Sequence, residues 1–197
     1  MMHRIASVAS LSMLLTACVM TPVEEGLTYS APTKSENRAV TVQAQSRSEA
    51  VELVAARLRA AGIRPAAVDP RSGMMVARVA GAQFVDCGTF TQLARGSLTT
   101  FPANAERAAI FDVTQPGQIN VREVSVRSQY TVSIGSGPPF AATIEGSHAV
   151  RVRQSSKADD AKAWRADREF GVGSAAAFPD RVTCVDSGLF ADVVAGR

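Results

Sequence analysis

Few side chains in this sequence could carry chemistry. His148 is the only histidine beyond His3, and imidazole is the group whose ordinary pKa lies nearest neutrality. It shares a strand phase with Ile144, Val150 and Val152, which predicts a hydrogen-bonded core imidazole in place of a general base. No triad can be assigned from spacing. Cys87 lies in Asp86-Cys87-Gly88 without the Cys-x-x-Cys partner of a redox motif. A zinc site would need His148 with Cys87, Cys184 or carboxylates at spacings that the usual templates do not show, so no metal is expected. Gly135-x-Gly137 and Gly171-x-Gly173 lack the following helix that a phosphate cradle needs, and they read as turns. Asp159-Asp160 reads as a solvated charge pair. The expectation is therefore a non-enzymatic protein with no catalytic residue and no cofactor.

One surface feature could bind a partner. Arg127, Arg151 and Arg153 fall on the outward face of a long predicted hairpin, and Lys157, Lys162, Arg165 and Arg168 follow. Such a patch could meet lipid phosphates or an acidic partner. Glu123, Glu145, Asp159, Asp160, Asp167 and Glu169 offer the alternative of a balanced, solvated sheet face. Trp164, the single tryptophan, could stack on a sugar, anchor an interface or plug a small core.

The chain positioning these residues has 197 positions, 46% hydrophobic and 20% charged, the composition of an ordinary globular fold. With 21 basic against 18 acidic side chains, it lacks the excess expected of a nucleic-acid binder. At the N-terminus, His3 and Arg4 precede an apolar, small-residue run from Ile5 to Ala17, long enough for a secretory signal and too short to span a bilayer. The run ends Leu15-Thr16-Ala17-Cys18, which resembles the lipobox of bacterial lipoproteins. That resemblance implies cleavage of residues 1–17 as a signal peptide and lipidation of Cys18 as the first mature residue. Several acyl chains would then hold the protein stably to a leaflet. Val19 is not the aspartate that retains such proteins at the inner membrane, so the resemblance favours the outer membrane, facing the periplasm, with the inner membrane as the alternative address.

Residues 18–38 mix Pro22, Gly26, Pro32, Glu24, Glu25 and Lys34 with few large apolar groups. They read as an acylated N-terminus and a flexible tether, with an end-to-end distance on the order of 25 Å. Residues 39–197 read as one globular domain. Exported cysteines commonly pair, and with Cys18 acylated the two that remain, Cys87 and Cys184, are expected to form a disulfide.

The domain opens with a short strand over 39–45 and an amphipathic helix over about residues 47–61. Ser46 and Glu49 have capping-box spacing, Val51, Val54, Leu58 and Ala61 form the apolar stripe, and Gly62 supplies the stop. Ile63–Val68 and Met74–Val79 flank an Asp-Pro-Arg-Ser-Gly turn as a hairpin. This helix, glycine and Asp-x-x-Ser-Gly hairpin unit resembles the helix-grip modules of periplasmic lipoproteins, among them accessory subunits of the outer-membrane β-barrel assembly machinery. The resemblance ends at Met74, and no second copy follows.

Further along, Ala109, Phe111 and Val113 alternate before a Gln115-Pro116-Gly117 turn. Val124, Val126, Tyr130, Val132 and Ile134 hold one phase; Ile119 and Val121 are out of it, predicting a bulge or bend near Arg122. After Gly135–Pro139 a partner strand carries Phe140, Ala142, Ile144, His148, Val150 and Val152 on one face. Gln154–Glu169 reads as a loop or short helix, Phe178–Val185 as a last strand, and Ser187–Ala195 as a short C-terminal helix. The expected fold is α+β, a mostly antiparallel sheet packed against the main helix. The expected function is that of a lipid-anchored interaction or structural module with an envelope protein partner, beside an outer-membrane assembly complex. The alternative is a small-ligand or lipid carrier with its groove between helix and sheet.

Overall fold

The computed structural model describes residues 26–33, 39–94, 96–111, 118–156 and 163–197. The leader, Cys18, the Gln115-Pro116-Gly117 turn, Lys157, Lys162 and Asp159-Asp160 lie outside the described residues. In chain order the elements are β1 (Gly26–Ser30), β2 (Val40–Val42), α1 (Arg47–Ala60), β3 (Pro65–Asp69), β4 (Met74–Ala80), β5 (Val85–Asp86), β6 (Thr89–Ala94) and β7 (Ser97–Pro102). They continue with β8 (Arg107–Phe111), β9 (Ile119–Ile134), β10 (Phe140–Ser156), β11 (Trp164–Gly171), β12 (Ala175–Ala177), β13 (Thr183–Asp186) and α2 (Leu189–Ala195).

The organising element is the β9–β10 hairpin, antiparallel and in continuous register from Ile134 opposite Ala142 to Asn120 opposite Ser156. Alternation of side chains along β9 buries Val124, Val126, Ser128, Tyr130, Val132 and Ile134 and leaves Ser125, Arg127 and Gln129 outside. β11 joins beside β10; β4 and then β3 join beside β9, with β2 and β8 completing a seven-stranded sheet. Two three-stranded sheets, β1-β6-β7 and β12-β13-β5, complete the described strands.

Strands make up 56% and helices 16% of the described residues, in a mostly antiparallel β fold with only short helices. This corrects the α+β expectation of a sheet packed on one main amphipathic helix. The capping signals were sound, since Ser46 Oγ accepts from Glu49 N at 3.1 Å, Glu49 Oε2 accepts from Gln45 N at 2.7 Å, and Gly62 has φ +77°. Yet α1 supplies Val51, Val54 and Leu58 to only one core, with Met75, Tyr130, Val132, Ile134 and Phe190. Along the same hairpin a second core forms, where Val124, Val126, Val150 and Val152 meet Val85, Phe90, Phe178 and Val182. Strands 16 and 17 residues long present more inward surface than one helix of 14 residues can cover.

Other expectations are corrected in the same way. Gly26–Ser30, read as tether, is a strand paired with β6 from Gly26 opposite Leu93 to Ser30 opposite Thr89. Gln154–Glu169 is neither loop nor helix where it is described after residue 162: β11 pairs with β10, Arg151 opposite Asp167. Phe178–Val185 is broken by a turn closed by Phe178 N donating to Val182 O and Arg181 N donating to Phe178 O. No bulge interrupts β9 near Arg122. The strand keeps its phase by turning Asn120 and Arg122 inward and leaving Ile119 42% exposed.

Arg122 can face inward because Asp180 Oδ2 accepts from its Nε at 2.9 Å and the carbonyl of Ala103 accepts from its Nη1. Cys87 and Cys184 are disulfide-bonded, tying the residue after β5 to β13. The adjacent Gly88, at φ +75°, has a packing role: a Cβ there would lie 2.1 Å from the carbonyl oxygen of Ser30.

Candidate functional site

Two places concentrate polar groups, on opposite faces of the large sheet. The inner one lies at the seam between the two cores. Ser128 and His148 are cross-strand neighbours in the β9–β10 register, and Ser128 Oγ is 2.8 Å from His148 Nδ1. His148 Nε2 is 2.9 Å from Asp186 Oδ2, an oxygen lying off the ring N–H axis. The same carboxylate oxygen accepts from the Tyr130 hydroxyl at 3.2 Å, while its other oxygen accepts from Gly188 N at 2.7 Å. Tyr130 stacks on Phe190 with ring centroids 3.9 Å apart, and it lies over Gly146, where a Cβ would come within 2.6 Å of the Tyr130 ring. That glycine in a strand interior marks close ring approach. Burial, followed by the neighbouring Asp186 charge, pushes the Tyr130 phenol well above its ordinary pKa.

Serine, histidine and aspartate thus meet in one buried cluster that the spacing did not disclose, hydrogen-bonded between Ser128 and His148 and closed by a short contact from His148 to Asp186. Their placement is that of a core network. His148 is 0% exposed and Ser128 4%, so a substrate carbonyl has no approach to the hydroxyl, and Phe84, Phe170 and Phe190 surround the group. His148 sits where its strand phase placed it, as a packed and hydrogen-bonded ring. Ser128 was overlooked, although its position between Val126 and Tyr130 in the inward phase marks it as buried. Asp186 had no such signal, because it comes from another sheet.

The outer place is the open face of the large sheet. Cross-strand register aligns Ala80, Arg127, Ala149 and Glu169 in one row, from β4 across β9 and β10 to β11. The two alanines leave a recess of about 840 Å³ over β9–β11, also lined by Ser125, Asp167 and Arg168. A smaller recess of about 440 Å³ adjoins it over Ser147 and Gln129. Among the described residues, Arg127 and Glu169 have no side-chain hydrogen-bond or ion-pair partner.

Arg127, Arg151 and Arg153 do share this exposed face. Carboxylates offset part of its charge. Asp167 accepts from Arg151 at 2.6 Å and from Arg165 at 3.1 Å, and the bond to Arg151 leads in holding its carboxyl below the ordinary carboxylate range. Glu123 stands between Arg107 and Arg153 in register. Arg168 turns away, its Nε donating to the carbonyl of Ala177 at 3.2 Å. Trp164 belongs to the other face, half-buried against the second core, so the structure separates it from the arginines.

Val51, Val54 and Leu58 are each 0% exposed against the sheet, which fills the place where a carrier groove was considered. Among the described residues, no group of three or more His, Cys, Asp or Glu side chains could hold a metal ion, and no helix is long and apolar enough to cross a membrane. Comparison with protein-family models, with curated proteins and with solved structures finds no match for this chain.

Proposed function

We propose that this protein is an envelope lipoprotein, anchored through Cys18, whose role is to present the open face of its large sheet to an envelope protein partner. The observation that carries the reading is the recess on that face, floored by Ala80 and Ala149 and flanked by the unpaired Arg127 and Glu169. A sheet face with near-balanced charge and a small-residue floor suits a polar protein surface better than a polyanion. The lipobox and the expected export context stand beside the Cys87–Cys184 disulfide, a bond type that persists in oxidising compartments. The Ser128–His148–Asp186 chain is read as structural, because its members are buried and serve to join β9, β10 and β13.

The test is site-specific photocrosslinking in cells, with the probe placed at Ser125 or Ala149 and, as a control, at Thr99 on β7. A discrete crosslinked product from the first two positions, lost with Arg127→Glu, supports the reading. Equal crosslinking from all three positions refutes the assigned face. Cys18→Ser should release the protein from membranes on fractionation; retention of that variant, or an unmodified Cys18 thiol by mass spectrometry, refutes the anchor.

A further inference from the structure

The small sheet β1-β6-β7 carries no charged residue in any of its three strands, Gly26–Ser30, Thr89–Ala94 and Ser97–Pro102, in a chain that is 20% charged. One of its rows runs Gly26, Leu93, Leu98 in register, and the neighbouring rows on that face are Thr28, Thr91, Thr100 and Ser30, Thr89, Pro102. Leu98 is 70% exposed, the most exposed large apolar side chain among the described residues, and Leu27, in the adjacent row with Gln92 and Thr99 and so on the other face at the same end, is 37% exposed. β7 is paired on one side only. Exposed edges are commonly guarded by charge, and this one is not.

We propose that this end of the β1-β6-β7 sheet, with Leu98 foremost and Leu27 at its rim, rests on the lipid surface to which the chain is tethered. The inference builds on the anchoring of Cys18 proposed above. Because β1 is docked, only residues 19–25 separate Cys18 from Gly26. An extended chain over that interval spans at most about 29 Å, and a flexible one averages on the order of 15 Å. Leu98 stands in the Gly26 row only two strand spacings away, about 10 Å. The end of the domain that the anchor must hold nearest the membrane is thus the leucine-bearing end, whose strands are uncharged and whose β6–β7 connection contributes one arginine, Arg95. Glu24 and Glu25 precede β1, so the contact is apolar and should require no anionic lipid. Insertion of one such leucine is worth about tenfold in partitioning.

The test uses the full-length processed protein in phosphatidylethanolamine–phosphatidylcholine vesicles, read by amide hydrogen exchange. The proposal expects β7 amides to exchange at least fivefold more slowly on vesicles than in the Cys18→Ser protein in solution, with Leu98→Asp restoring fast exchange at unchanged melting temperature. In parallel, the Cys18→Ser protein should co-float weakly with the same vesicles, and Leu98→Asp with Leu27→Asp should lower the bound fraction at least fivefold. Exchange that is the same with and without vesicles overturns the contact. So does protection of β7 that rises with protein concentration in the absence of lipid, which would identify a second copy as the occupant. If mass spectrometry finds Cys18 lipidated while Leu98→Asp changes neither readout, the anchor stands and the contact falls. If Cys18 is unmodified while flotation still depends on Leu98, the anchor falls and the contact stands.

Discussion

Tyr29 and Thr183, 154 positions apart in the chain, meet at one hydroxyl: Tyr29 Oη accepts from Thr183 N at 2.9 Å and lies 3.1 Å from the carbonyl oxygens of Thr183 and Cys87. The first described strand is thereby fastened beside the disulfide. Tyr29→Phe keeps the ring's tilted contact with Phe90 and strands a half-buried N–H. It should cost about 1–2 kcal/mol, measurable by urea denaturation; an unchanged midpoint would show that β1 is not held by this bond.

Asp180 is the counter-ion of Arg122, whose side chain is 1% exposed. Breaking a buried pair leaves an uncompensated charge, so Asp180→Ala should destabilise by about 3–5 kcal/mol. Replacing both residues by apolar ones of similar size should recover much of that loss. Equilibrium unfolding of the two variants decides the matter: a double variant as unstable as the single one would mean that the cation's other contacts dominate.

For His148, truncation to alanine removes a packed ring and deprives Ser128 and Asp186 of their neighbour. The expected loss is about 2–4 kcal/mol. A thermal melt within about 1 °C of wild type, together with loss of an envelope phenotype, would overturn the structural role.

Alkaline pH should destabilise the fold through Tyr130 and Tyr29. Both phenols are held above their ordinary pKa, chiefly by burial. The neutral forms are favoured in the native state, so their contribution is complete below about pH 10, where an unfolded tyrosine begins to ionise, and is lost as pH rises further. Stability measured at pH 9, 10 and 11 should fall across the upper interval. A flat profile would contradict the burial of Tyr130.

Reduction of the Cys87–Cys184 bond, or Cys184→Ala, should lower stability by up to about 4.7 kcal/mol on the chain-entropy estimate for a loop of this size. Peptide mapping under non-reducing conditions should recover the two cysteines in one peptide pair.

How much of this was legible depended on range. The β9–β10 hairpin, the β3–β4 hairpin and both ends of α1 follow from local alternation, turn residues and caps, and they stand where the pattern placed them. β1 was lost because Gly26-Leu27-Thr28-Tyr29-Ser30 offers little apolar contrast; it is a strand because β6 accepts it and the region of Thr183 binds its tyrosine. Arg122 misled for a related reason. The apolar Ile119 and Val121 beside it suggested a break in phase, and only its partner Asp180, 58 residues away, allows Arg122 inside. The arginines of the open face were found, but Asp167 pairs with two of them only after β11 joins β10.

The pairing of β5 with β13 sets the order in which this molecule can mature. The long hairpin is joined by a short loop and can form from neighbouring sequence alone, whereas the second core cannot close until Val182–Val185 arrives from the far end of the chain. Contacts of such sequence separation slow folding. During that delay the inward faces of Val124, Val126, Val150 and Val152 stand open, a surface prone to self-association. A chain shortened before Phe178 would be held in that condition, so the last twenty or so residues act as the step that commits the hairpin to its native sheet.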